Sequence, residues 1–230
     1  MTRREDIRAN LADVHRRIAD AAVAAGRPPD RVGLVVVTKT WPASDVRLLA
    51  GLGVTDVGEN RDQEAAPKAA ACVDLPLRWH FVGGLQRNKA RSVARYADVV
   101  ESVDRAELVA ALQHGAESAD RRLEVLLQVS LDGAEGRGGA DPADLPALAD
   151  LVAAADRLHL GGVMAVAPLG ADPDEAFARL ATISATLVRA HPGAVTVSAG
   201  MSGDLEAAVR HGATHVRVGT AVLGGRPALG

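Results

Sequence analysis

Lysine is scarce in this sequence: it occurs only as Lys39, Lys68 and Lys89, against twenty-three arginines. Beside abundant alanine and glycine, that imbalance looks like composition bias, under which a retained lysine is informative. Cys72 is the single cysteine, which excludes an internal disulfide and a cysteine cluster for zinc; in its Ala-rich surroundings it reads as a small filler. Aromatic residues make up 2% of the chain, so the core must be packed from Ala, Val and Leu. No apolar run approaches the roughly eighteen residues of a membrane span, and the charged start MTRREDIRAN lacks the apolar centre of a signal peptide; a cytoplasmic protein is expected. A net charge of −3 with both signs interspersed leaves no basic stripe for phosphate backbones, which argues against nucleic-acid binding. His15, His114, His159, His191, His211 and His215 are scattered without metal-ligand spacing, so no metal site is expected.

What is present is a rhythm. Residues 3–25 carry Ile7, Leu11, Val14 and Ile18 at spacings of three and four, an amphipathic helix closed by Gly26 and Pro28. Short β-branched runs follow at 32–39, 55–60, 78–83, 98–103, 124–130, 158–167, 195–200 and 215–220, bounded by Gly, Pro, Asn or Asp. Helical patterns separate them at 44–52, 61–72, 86–95, 105–118, 142–155, 173–190 and 205–210. This alternation predicts an α/β fold, a single (β/α)8 TIM barrel over residues 1–230. An open doubly wound sheet competes with it, but no glycine-rich dinucleotide turn follows the first run, where the chain reads TKTWP. No helical pattern follows the eighth run, and the helix at 3–25 is expected to cover that gap.

Active sites of such barrels lie at the carboxyl ends of the strands. Lys39 falls at the end of the first run, Asn60 at the second, Ser198 and Ser202 about the seventh, and Arg217, Gly219 and Thr220 at the eighth. An amine on the wall of a low-dielectric barrel has its charged form disfavoured, as a Schiff-base lysine requires. Lys39 is equally readable as a strand-end lysine whose stem covers apolar surface. In SAGMSGDLEAAVRHG, Met201, Ser202 and Gly203 form a small polar turn opening a short helix. Taken alone, Ser202 or Gly203 would simply cap that helix. With a second turn at Gly219 and Thr220 beside it, a phosphate site after strands seven and eight becomes the better account. A lysine opposite a phosphate cradle suggests pyridoxal 5′-phosphate, or a phosphosugar handled by a lysine aldolase. Arg217 shares a strand face with Gly219; facing the mouth, it would meet a pyridine nitrogen and keep it unprotonated, weakening the ring as an electron sink. A surface ion pair with Asp204 or Glu206 is the plainer alternative.

The chain resembles the pyridoxal phosphate homeostasis proteins, whose barrel is similar to the N-terminal domain of bacterial alanine racemase. The likeness runs through VVVTKT, VGEN with Gln63 and Glu64 after it, RWHFVGGLQRNKA, ESVD, LLQVSLD, GGVMAVAP and SAGMSGDLEAAVRHGATHVRVGTAVLGGRP. It implies that Lys39 carries the cofactor covalently as an internal aldimine. It further implies that Ser202, Gly203, Gly219 and Thr220 hold the phosphate, that Arg217 meets the ring nitrogen, and that Asn60, Met201, His80 and Met164 line the pocket. For His80 and Met164, filling of the barrel core stays open. The chain also departs from the family. Thr40 and Trp41 follow Lys39 where a second lysine is frequent, Arg137 stands where a lysine often follows the fifth strand, and Gly84 replaces a frequent histidine. Arginine keeps the charge but does not exchange an imine.

The resemblance implies a carrier or buffer of pyridoxal phosphate acting in vitamin B6 homeostasis, with pyridoxal phosphate-dependent apo-enzymes as recipients and a monomer or weak dimer as its state. A pyridoxal phosphate-dependent amino-acid racemase is the alternative. That reaction needs a proton donor on each face of the substrate carbon, and the only tyrosine, Tyr96, follows the third barrel helix. A phosphosugar Schiff-base lyase is the third possibility.

Overall fold

The computed structural model describes residues 2–134 and 138–225, so Arg137 lies outside the described residues. The parallel strands β1 (Gly33–Val37), β2 (Asp56–Glu59), β3 (Arg78–Phe81), β4 (Val99–Val103), β5 (Leu123–Gln128), β6 (Leu158–Met164), β7 (Thr196–Ser198) and β8 (His215–Val218) close into a barrel in sequence order. Closure is made by β8 on β1, with Val35 beside Arg217 and Val36 beside Val218. The helices on the outside are α1 (Arg3–Ala24), α2 (Ala43–Ala50), α3 (Asp62–Ala71), α4 (Ala90–Val93), α5 (Ala106–Ser118), α6 (Leu145–Ala153), α7 (Pro173–Ala190), α8 (Leu205–Arg210) and α9 (Thr220–Leu223). Among the described residues, no helix is long and apolar enough to cross a membrane.

Each expected run overlaps a strand, β5 starting one residue early at Leu123, but most strands stop short of the expected carboxyl end: β1 ends at Val37, not Lys39, and β8 at Val218, not Thr220. The residues left over form the turns of the barrel mouth. The fourth expected helix, 86–95, shrinks to a 3-10 turn at Arg87–Lys89 and the single turn α4.

Strand alternation divides the core. Outward-facing Val36, Val216 and Val218 pack under Ile7, Leu11, Val14 and Ile18 of α1, together with Leu205 and Val209 of α8 and Val222 and Leu223 of α9. The N-terminal helix therefore covers the side of β8, as expected, because the helix after β8 is one turn long and leaves those valines uncovered. Thr2 and Glu5 start α1 with reciprocal hydrogen bonds, the Glu5 amide donating to Thr2 Oγ1 and the Thr2 amide to Glu5 Oε2. Inside the barrel, Val99, Leu126 and Met164 form a small apolar cluster, Val35 and Val37 pack beside Gly58, and the buried polar side chains of His80, Glu101, Ser198 and Arg217 share the same interior.

Candidate functional site

The mouth of the barrel holds a cavity of about 400 Å³. Lys39 and Asn60 enter it from the ends of β1 and β2, Met201, Ser202 and Gly203 from the turn after β7, and Arg217, Gly219 and Thr220 from β8 and the turn beyond. Eight of the ten positions expected at a cofactor site thus line one wall or another of the same space. The two glycine-containing turns are shaped by backbone constraints. Gly200 has φ +89°, and a Cβ there would lie 2.6 Å from the Ala208 Cβ, so only glycine lets the chain leave β7 so close to α8. At Gly219 a Cβ would lie 3.1 Å from the Val37 carbonyl oxygen, which brings the last turn against the end of β1.

Ser202 does not cap α8. Its Oγ accepts from the Ala221 amide of α9 at 3.3 Å, joining the two turns. Asp204 folds back to accept from the Met201 amide at 2.6 Å, closing the first turn on itself. From α1, Arg17 donates to the Ser202 carbonyl at 3.0 Å and to Glu206 Oε1 at 2.6 Å, so the N-terminal helix supports the turn from outside.

Arg217 is 5% exposed and forms no surface ion pair. Its guanidinium donates to Ser198 Oγ at 2.7 Å and to the Ala165 carbonyl at 2.9 Å, and stands 3.7 Å from Glu101 Oε2. Ser198 in turn donates to Glu101 Oε2 at 2.6 Å, Glu101 Oε1 meets His80 Nδ1 at 2.7 Å, and His80 Nε2 meets Asp56 Oδ1 at 3.0 Å. A chain of alternating charge therefore crosses the barrel interior from the cavity to the amino end of β2. Burial opposes charge on His80, but the hydrogen bonds to Asp56 and Glu101 outweigh it and raise the imidazole to about 9. Burial likewise opposes the Glu101 carboxylate, yet His80, Arg217 and Ser198 hold it down at about 2. Burial lowers the Arg217 guanidinium, opposed by Glu101 and Asp204, but arginine starts so high that it keeps its proton.

His80 and Met164, expected at the pocket or in the barrel core, are not among the residues that line the cavity. His80 is 4% exposed within the charged chain, and Met164 is 1% exposed against Val99 and Leu126. The cause is the strand repeat: Val82 and Val166, two residues further on and on the same faces, are the ones that reach the cavity wall. Tyr96 is also elsewhere, half-buried among the outer helices, where burial and then the charges of Asp62 and Glu59 push its phenol up. Gly84 borders a neighbouring groove of about 700 Å³ that shares Asn60 and Gly83 with the cavity, and a Cβ at Gly84 would meet nothing within 4 Å.

The family model for the alanine racemase N-terminal domain matches residues 5–227. The pyridoxal phosphate homeostasis protein of Mycobacterium leprae (strain TN) is 43% identical over 93% of this chain and 90% of its own length. That of Pseudomonas aeruginosa is 44% identical over 94% of each chain. The chain belongs to the pyridoxal phosphate homeostasis protein family. A solved structure, PipY of Synechococcus elongatus PCC7942 with PLP bound, matches with a TM-score of 0.83 at 36% identity, covering 95% of this chain and 100% of that one.

Within this homeostasis-family barrel, two sets of polar residues escaped the sequence analysis. Glu101 appeared only within the β-branched run 98–103 and as the first residue of ESVD, with no role attached, because its partners are remote in sequence. Lys68 sits one helical turn after Glu64, a spacing typical of exposed ion pairs, yet its side chain is 5% exposed. The informative signal was the scarcity of lysine, which applied to Lys68 as much as to Lys39.

Proposed function

We propose that this protein binds pyridoxal 5′-phosphate at the barrel mouth and serves its homeostasis without catalysing a reaction of its own. The observation that carries this is the meeting of Lys39, the Ser202–Gly203 turn, the Gly219–Thr220 turn and Arg217 around one cavity. Its volume, about 400 Å³, falls in the range of roughly 300–1,000 Å³ usual for small-ligand sites. The donor set suits the cofactor: a primary amine, two hydroxyls, glycine backbone amides and a guanidinium. A Cβ at Gly203 would meet nothing within 4 Å, which leaves the turn accessible to a bulky anion. When bound, the cofactor supplies an aldehyde that condenses with an amine and releases water. Lys39 would provide that amine, Ser202, Gly203, Gly219 and Thr220 the phosphate contacts, and Asn60 and Met201 the flanks. Arg217 cannot accept a proton, so it would stabilise an unprotonated ring nitrogen and hold the cofactor in a state poor in carbanion chemistry.

The relatives named above support the same reading. Racemization finds no support at the cavity, because Tyr96 is not on its wall. Pyridoxal phosphate-dependent apo-enzymes in the cytoplasm would be the recipients, and a monomer or weak dimer would suffice, since the cavity is built from one chain. Purified protein mixed with pyridoxal phosphate should turn yellow, and borohydride should fix the cofactor to the peptide containing Lys39. Lys39→Ala should abolish fixation while leaving weaker binding through the phosphate. Fixation on another lysine, or rapid racemization of amino acids by the loaded protein, would overturn the proposal.

A further inference from the structure

Lys39 lies between two residues that are both held from outside the cavity. Lys68 of α3 directs its ammonium to three acceptors, the Thr38 carbonyl at 2.9 Å, Glu59 Oε1 at 2.5 Å and Glu64 Oε1 at 2.9 Å. An ammonium has three protons, so each one has an acceptor. The same Glu64 oxygen accepts from the Thr40 amide, and Thr38 Oγ1 donates to Glu59 Oε1 at 2.6 Å. The backbone on both sides of Lys39 is therefore tied to one charged cluster. Thr40 has φ +69°, a left-handed conformation that a β-branched residue rarely adopts. Such a turn persists only where its surroundings hold it.

We propose that Lys68 and Glu64 are positioning residues for Lys39: the ammonium fixes the Thr38 carbonyl, the carboxylate fixes the Thr40 amide, and together they hold the left-handed turn that presents the Lys39 amine to the cavity. This role rests on the proposed attachment of the cofactor at Lys39. A buried lysine is costly unless its charge is compensated, and an apolar residue of similar length would fill the same volume while holding neither backbone group. The ion pair supplies direction as well as contact.

Glu64 is the residue to vary first, because its side chain is 30% exposed and its loss leaves Glu59 to neutralise Lys68. Lys68→Met strands the buried Glu59 and is the riskier substitution for folding. Two readouts separate positioning from general loosening of the site. Covalent attachment is followed by the growth of the visible band after mixing cofactor-free protein with pyridoxal phosphate. Non-covalent binding is measured with pyridoxine 5′-phosphate, which bears a hydroxymethyl group in place of the aldehyde. Glu64→Ala should slow attachment about tenfold or more while changing affinity for the analogue less than about twofold, and Glu64→Gln, which keeps an acceptor for Thr40, should recover most of the rate. Unchanged attachment in Glu64→Ala, or a parallel loss of both quantities, would overturn the role. Should the unaltered protein attach no cofactor at Lys39, the functional proposal fails, and the clamp is judged on cofactor-free protein. There, Glu64→Ala should speed hydrogen exchange at the Thr40 amide about tenfold with the strand amides unaffected, and an unchanged rate at Thr40 would refute it.

Discussion

Glu101 stands 3.7 Å from the Arg217 guanidinium and reaches it through Ser198, whose hydroxyl donates to the carboxylate and accepts from the arginine. Glu101 is fully buried, so its charge has no solvent to fall back on. Glu101→Gln should therefore leave Arg217 and His80 without their shared counter-ion and cost about 3–5 kcal/mol of stability. Chemical unfolding measures it, and a loss below about 1 kcal/mol would mean that the charges on this chain are not as assigned.

His80 gives the chain a pH signature. Its folded-state value, about 9, lies above its ordinary 6.5. The stabilisation from its charged form is therefore fully present below about 6.5, and is lost as the pH rises through about 9. Stability should fall across that alkaline window in the unaltered protein, and His80→Gln should flatten the slope. Glu101 acts with the opposite sign, its contribution being present above its ordinary 4.5 and lost as the pH falls toward about 2. Unfolding free energies recorded from strongly acid to alkaline pH check both limbs; an identical alkaline slope in His80→Gln would contradict the charged imidazole.

Gly200 is a backbone requirement of the turn that carries Ser202. Gly200→Ala places a Cβ 2.6 Å from Ala208 at φ +89° and should destabilise the protein by about 1–3 kcal/mol. Since the displaced turn bears Met201 to Gly203, binding of pyridoxal phosphate should weaken beyond the loss in stability, as titration of the folded variant would reveal.

Arg17 joins α1 to the same turn through the Ser202 carbonyl and Glu206. The ion pair is partly exposed, so Arg17→Ala should cost about 1 kcal/mol or less in stability. Affinity for the cofactor should drop about tenfold, as one charge-assisted support of the turn is removed. Equal affinity in the variant would show that α1 only covers β8. By contrast, Ile7→Ala removes a fully buried side chain of α1 and should cost about 2–5 kcal/mol, measured by thermal unfolding.

Particular elements show what was legible in the sequence. The β-branched runs and their Gly, Pro and Asp borders located the barrel strands because a strand buried on both faces needs a short apolar run whatever its neighbours do. The amphipathic stripe of Ile7, Leu11, Val14 and Ile18 likewise announced a helix needing a surface to cover. Lys39, Ser202, Arg217 and Thr220 were found because barrel architecture sends strand ends to one mouth. His80 and Met164 were harder, since a run of apolar and polar residues does not state how many layers below the mouth each one lies.

The local pattern of the chain determined the strands, the helices and the set of residues that could gather at their carboxyl ends, because periodicity and turn chemistry act between near neighbours. Closure of the barrel decided the rest. It set Asp56, His80, Glu101, Ser198 and Arg217 in one line, and it turned the Lys68 face of α3 onto the turn beside Lys39. Burial in the folded barrel makes those partnerships obligatory, since charges withdrawn from water must find each other, whereas the linear chain carries no mark of which distant partner that will be.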